Sequence, residues 1–222
     1  DAANATDCAR YIEKSGGKAI GRQCNVLDEE QVKEVVRETV RAFGKVNVLV
    51  NGAVKYNMKG LLTMPMSEFR EQVDLILTGA FVFTKHTAQA MIDGKERGSI
   101  IHLASTEAHQ GNPQNVAYCT AKAGILNMAR ANAMELVQYG IRVNSLTPTA
   151  TDPTESVDRA ERWGRPRWDI TNHLALKRGK LLPTGKPPSP SDYGYAAIYL
   201  ASDESRFVTG TDMRVDAGAI AR

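Results

Sequence analysis

Cysteine is scarce and scattered in this sequence. Cys8, Cys24 and Cys119 are odd in number, form no CxxC pair and lack the companion histidine spacing of a zinc site. Reduced thiols and a cytoplasmic location are expected. Long hydrophobic runs are missing too: no uncharged apolar stretch approaches the roughly 20 residues that a membrane helix needs. The opening Asp1-Ala2-Ala3-Asn4 has neither the basic start nor the apolar core of a secretion signal, so no membrane partner is expected. Charge of one sign is also lacking. A net charge of +3, from 28 basic and 25 acidic residues, gives no global attraction for nucleic acid, and none is expected as a partner. His86, His102, His109 and His173 are spread without ligand spacing, which favours packing or surface roles and no metal site. Internal repeats are absent, and 222 residues with 42% hydrophobic content suit one compact domain over 1–222.

What is present is an alternation of helix and strand signals. Ala5 to Ser15 reads as a short polar helix closed by Gly16-Gly17, and Lys18 to Val26 as a short strand. Asp28 can cap a helix running to Phe43, with Val32, Val35, Val36 and Val40 at helical spacing and Gly44 as its stop. A buried strand, Val46 to Val50, follows. Ser67 to about Ile92 is helical in periodicity, Gly98 to Ala104 a strand, Val116 to Val137 a long helix, and Ile141 to Leu146 a strand. Asp192 to Ala201 then reads as a helix and Thr211 to Val215 as a last strand. Parallel strands need crossover connections and are buried on both faces, so this alternation implies an α/β doubly wound parallel sheet. Residues 149–191 are the exception: rich in Arg, Lys and Pro, with Trp163 and Trp168 but little periodicity, they read as a long functional loop with one short helix.

The chemistry-bearing stretch is Ile100-Ile101-His102-Leu103-Ala104-Ser105 followed by Tyr118-Cys119-Thr120-Ala121-Lys122. Of the seven tyrosines only Tyr118 has a lysine four residues later. On a helix that spacing puts both side chains on one face, where an ammonium can favour the ionised phenol. Without such help a phenol of pKa about 10 is a poor acid or base near neutrality. Ser105 falls at the end of a predicted strand, where doubly wound sheets gather ligand-binding groups. The spacing alone also fits an ordinary surface Tyr/Lys pair, and Cys119 reads as a small packing residue with no assigned role.

In order and spacing, Ser105, Tyr118 and Lys122 resemble the catalytic set of the short-chain dehydrogenase/reductase family. Three further segments resemble it as well: Ile141-Arg142-Val143-Asn144-Ser145-Leu146-Thr147-Pro148, Tyr199 to Ser205, and Val208-Thr209-Gly210 with Val215-Asp216-Ala217-Gly218. The resemblance spans essentially all 222 residues. It implies a Rossmann-like fold and an NAD(P)-dependent oxidoreductase interconverting a secondary alcohol and a ketone. Tyr118 would act as general acid or base, Lys122 would lower its pKa and hold the nicotinamide ribose, and Ser105 would orient the reacting oxygen. It also implies cofactor contacts at Asn25 and Val26 for the adenine, at Asn51 after a strand, and at Pro148 and Thr151 in the turn that reaches the nicotinamide amide. NAD is preferred to NADP by resemblance alone. Residues 149–191 would be a substrate-binding loop or lid, and a homodimer or homotetramer is implied.

Several features depart from the family. Its opening strand and Thr-Gly-x-x-x-Gly-x-Gly turn, whose bare backbone admits pyrophosphate to a helix N-terminus, have no counterpart here. By that comparison Asp1 follows the family's second strand, so an N-terminally incomplete sheet is expected, missing its first two strands and exposing two apolar edges prone to disorder or association. Gly52-Ala53-Val54 replaces the end of an Asn-Asn-Ala-Gly motif, Thr149 replaces a glycine, and Ile76 stands where an asparagine holds a proton-relay water. The alternative is therefore a non-catalytic fragment or pseudoenzyme. A third reading takes the arginine-rich loop as a polyanion site with steep salt dependence.

Overall fold

The computed structural model describes residues 2–221, so Asp1 and Arg222 lie outside the described residues. Helix α1 (Ala2–Lys14) opens the chain and buries none of its residues. Helix α2 (Glu29–Phe43) is fixed at both ends by local chemistry. The Asp28 carboxylate accepts from the Glu30 and Gln31 amides, and Gly44 closes it in the left-handed conformation (φ 80°) that glycine adopts without strain. Its buried Val32 and Val36 share one face.

Among the described residues four parallel strands pair in chain order: β1 (Val48–Asn51), β2 (Gly98–Leu103), β3 (Ile141–Pro148) and β4 (Asp212–Val215). Their register aligns Asn51 with His102, His102 with Ser145 and Ser145 with Asp212, so a row of polar residues crosses the sheet, from the carboxyl ends of β1 and β2 to the start of β4. Helices α4 (Gly79–Asp93) and α5 (Val116–Leu136) cover one face, where Met91, Ile100, Ala129, Ile141 and Val143 pack together. Helix α8 (Pro190–Ala201) covers the other, where Ile101, Leu146 and Leu200 are fully buried. Burying one such side chain contributes about 1.5–3 kcal/mol. The doubly wound reading thus holds, and among the described residues no helix is long and apolar enough to cross a membrane.

Four expectations change. Lys18 to Val26 forms no strand, because a strand exists only through its ladder and no described strand lies beside it. The strand read as buried over Val46 to Val50 is β1, an edge, where Val48 and Val50 are 41% and 48% exposed. The helix read from Ser67 is α3 (Met66–Val73), joined to α4 by a π-helical segment, Asp74–Thr78, that carries the buried Ile76. Residues 149–191 contain two short helices, α6 (Thr154–Arg162) and α7 (Leu174–Gly179), where one was expected.

Candidate active site

Ser105 lies two residues beyond β2 and caps the start of a turn of 3-10 helix, Thr106–Ala108. Its Oγ accepts from the Glu107 amide at 3.2 Å, which leaves the hydroxyl hydrogen to donate. Tyr118, in the first turn of α5, lines the same open cleft of about 540 Å³ as Ser105. Lys122 sits one turn further on, only 4% exposed, with Nζ 5.7 Å from the Tyr118 ring centroid and donating to the Leu103 carbonyl. The structure thus brings together all three residues singled out from sequence. The electrostatics differ from the expectation, however. Burial pushes the Tyr118 phenol up to about 12; a hydrogen bond with Ser105 opposes the rise, and the nearby Glu107 carboxylate adds to it. Burial alone holds Lys122 down to about 8. Lys122 is a buried cation at the core end of the site and not half of a surface pair.

Glu107 carried no sequence signal. It is buried, and its carboxylate accepts from the Asn112 carboxamide at 2.7 Å and from that of Asn115, the residue just before α5, while the Cys119 thiol lies 3.8 Å away. Arg178 of α7 reaches it at 3.5 Å. Tyr56 meets the Tyr118 ring edge-on, with centroids 5.1 Å apart. Asn112 and Asn115 lie close in sequence, but Arg178 is brought in from the distant α7, and no motif announced the set.

The residues expected at the cofactor divide into three groups. Val26, Asn51 and Lys122 line one small void of about 20 Å³ together with Ile76. Asn51 is committed to the core, its Nδ2 lying 3.2 Å from both Thr84 Oγ1 and His102 Nδ1. His102 is fully buried, and desolvation with the Lys122 charge presses its pKa down to about 4. Asn25 is exposed and closes its own turn, accepting from the Leu27 amide at 3.2 Å. Pro148 ends β3, and the Thr151 hydroxyl donates to the Thr149 carbonyl at 3.2 Å. Lys122 spends one N–H on Leu103 and retains further donors, chemistry that suits the hydroxyls of a nicotinamide riboside. Among the described residues no glycine-rich turn joins a strand to a helix, as a diphosphate would require.

A family profile described as Enoyl-(Acyl carrier protein) reductase matches residues 1–219. The 2,5-dichloro-2,5-cyclohexadiene-1,4-diol dehydrogenase of Sphingobium indicum is 32% identical, covering 93% of this chain and 80% of that one. The 3-oxoacyl-(acyl-carrier-protein) reductase of Thermotoga maritima is 31% identical, covering 98% and 83%. The crystal structure of an NAD+-bound xylitol dehydrogenase superposes with a TM-score of 0.83 at 25% identity, over 95% of this chain and 83% of that one. The chain belongs to the short-chain dehydrogenase/reductase family. This is a family of NAD(P)-dependent oxidoreductases.

As a short-chain dehydrogenase/reductase the chain keeps Ile76 in place of the expected asparagine. That side chain is 3% exposed, faces the void shared with Lys122 and offers no hydrogen bond. The basic residues of 149–191 are largely engaged within the fold. Arg165 pairs with Asp7 of α1 at 2.6 Å, Arg167 with Asp158 and Glu161, and Arg159 stacks on Trp163.

Proposed function

We propose that the chain interconverts a secondary alcohol and a ketone with a nicotinamide cofactor, using Ser105, Tyr118 and Lys122. The observation that carries this reading is the shared cleft of Ser105 and Tyr118 with the buried Lys122 ammonium behind the phenol ring. The dehydrogenases named for a cyclohexadienediol and for xylitol, and the reductase of a carrier-bound 3-oxoacyl group, all support alcohol–ketone chemistry.

When bound, the cofactor supplies or accepts the hydride. Lys122 and Tyr118 would hold its ribose, with Asn51 beside them, Asn25 and Val26 toward the adenine, and Pro148 and Thr151 toward the nicotinamide amide. A phenol at about 12 stays protonated throughout the neutral range, so Tyr118 is set to donate its proton to a ketone oxygen that the Ser105 hydroxyl orients. In the oxidative direction it must first lose that proton, and only about one phenol in ten thousand is ionised at pH 8. Ile76 removes a polar partner from the Lys122 side, which slows resupply of the proton. Residues 149–191, with α7 over the cleft, form the substrate lid. Apolar Phe81 on α4 and Met134 on α5, 50% and 79% exposed, support self-association through that helix pair.

Calorimetric titration with NADH and with NADPH, followed by ketone reduction assays, tests the reading. Saturable binding with turnover supports it and names the cofactor. A folded chain that binds neither contradicts it and favours the pseudoenzyme, to which Ile76 already lends weight.

A further inference from the structure

The cleft's chemistry narrows the substrate class, an inference that rests on the oxidoreductase reading above. Beside Ser105 and Tyr118 its lining is about half polar, with Glu107, Arg178, Asn112 and Gln110 facing the apolar Leu174 and Leu182. The one anion and the one guanidinium face each other at 3.5 Å, so the cleft offers neither a free cation for a carboxylate or phosphate nor an unpaired anion for an amine.

Glu107 is the group that can read the atom next to the reacting carbon. It lies two residues after Ser105, and its Oε2 is 3.8 Å from the thiol of Cys119, the neighbour of Tyr118. Its contact with Arg178 is the longest of its polar contacts to nitrogen and the only one made to the lid, so it is the contact a substrate hydroxyl can replace or share. We propose that the site takes a neutral, polyhydroxylated alcohol or ketone, with Glu107 as the specificity-determining acceptor for the hydroxyl adjacent to the carbon that is oxidised. A vicinal hydroxyl donates to the carboxylate, and Arg178 can donate to the next oxygen along.

The test has a binding arm and a turnover arm, both on the full chain. Saturation-transfer NMR compares meso-2,3-butanediol and xylitol with 2-butanol, and NAD(P)-linked oxidation compares the same three by kcat/KM. The expected result is at least a tenfold preference for the diol and xylitol in binding, with Glu107→Gln cutting their binding at least fivefold and shrinking the preference in either arm. Glu107→Asp, which keeps the charge but draws it back from the cleft, should give an intermediate loss. Equal binding of 2-butanol and the diol to the wild type overturns the proposal, even if neither variant folds. Selective diol binding without oxidation leaves this assignment standing and removes the oxidoreductase reading. Oxidation of all three alcohols at similar kcat/KM keeps that reading and removes this assignment.

Discussion

His102, with its pKa held near 4 by burial and by Lys122, is neutral at pH 7, and among the described residues its Nε2 has no hydrogen-bond partner. The unfolded chain takes up this proton near pH 6.5, before the folded one can. Stability from His102 is therefore present above about 6.5 and is lost as pH falls toward 4, roughly 3 kcal/mol in all. Urea midpoints at pH 7, 5.5 and 4 should show this loss, and His102→Gln should flatten it. Lys122 acts in the opposite range: its folded pKa of about 8 lies below the ordinary lysine value of 10.5, so holding it charged costs stability at pH 7 and the cost fades as pH rises from 8 to 10.5. Tyr118 sets the rate profile. Oxidation, measured as kcat/KM, should rise about tenfold per pH unit from 6 to 8, while reduction shows no such rise from the phenol, which stays protonated. Tyr118 and Lys122 were legible in the sequence because a helix converts a spacing of four into a shared face. The direction of the phenol's shift was not, because burial and the Glu107 charge depend on segments brought in from residues 112, 115 and 178.

Among the elements, α2 is the most legible, since Asp28, the valine spacing and Gly44 state its start, face and end within one stretch of chain. Lys18 to Val26 shows the reverse: a strand-like composition gives no strand without a neighbour. That segment is instead held by packing, and Val26 lies against the start of α4. A Cβ at Gly79 would stand 2.6 Å from Val26 Cγ2, a branched side chain with little room to yield. Gly79→Ala should therefore destabilise the fold by about 1–3 kcal/mol, read as a fall of several degrees in Tm. The π-helical turn at Asp74–Thr78 has no sequence signature, yet it sets Ile76 toward Lys122. Ile76→Asn should raise kcat several-fold at a cost of about 1–3 kcal/mol in stability, because a polar group replaces a buried apolar one. A kcat that stays level or falls would show that the proton does not pass this way.

For the whole molecule, alternation of helix and strand was enough to give the parallel sheet and its two helical layers. One of the exposed apolar edges expected from the sequence falls at β1. At that edge β1 turns Val48 and Val50 toward solvent, a row of apolar side chains with an open backbone ladder. Concentration-dependent light scattering is expected, and Val50→Lys should reduce it while leaving the far-UV spectrum unchanged. The site at the carboxyl end of this sheet is best judged by one comparison: ketone reduction with NADH or NADPH by the wild-type chain and by Tyr118→Phe, matched for Tm. A loss of about 10²–10⁴-fold in kcat with the fold intact is the expected result. Unchanged turnover in Tyr118→Phe would contradict the assignment of the proton to Tyr118 and, with it, the catalytic reading of Ser105 and Lys122.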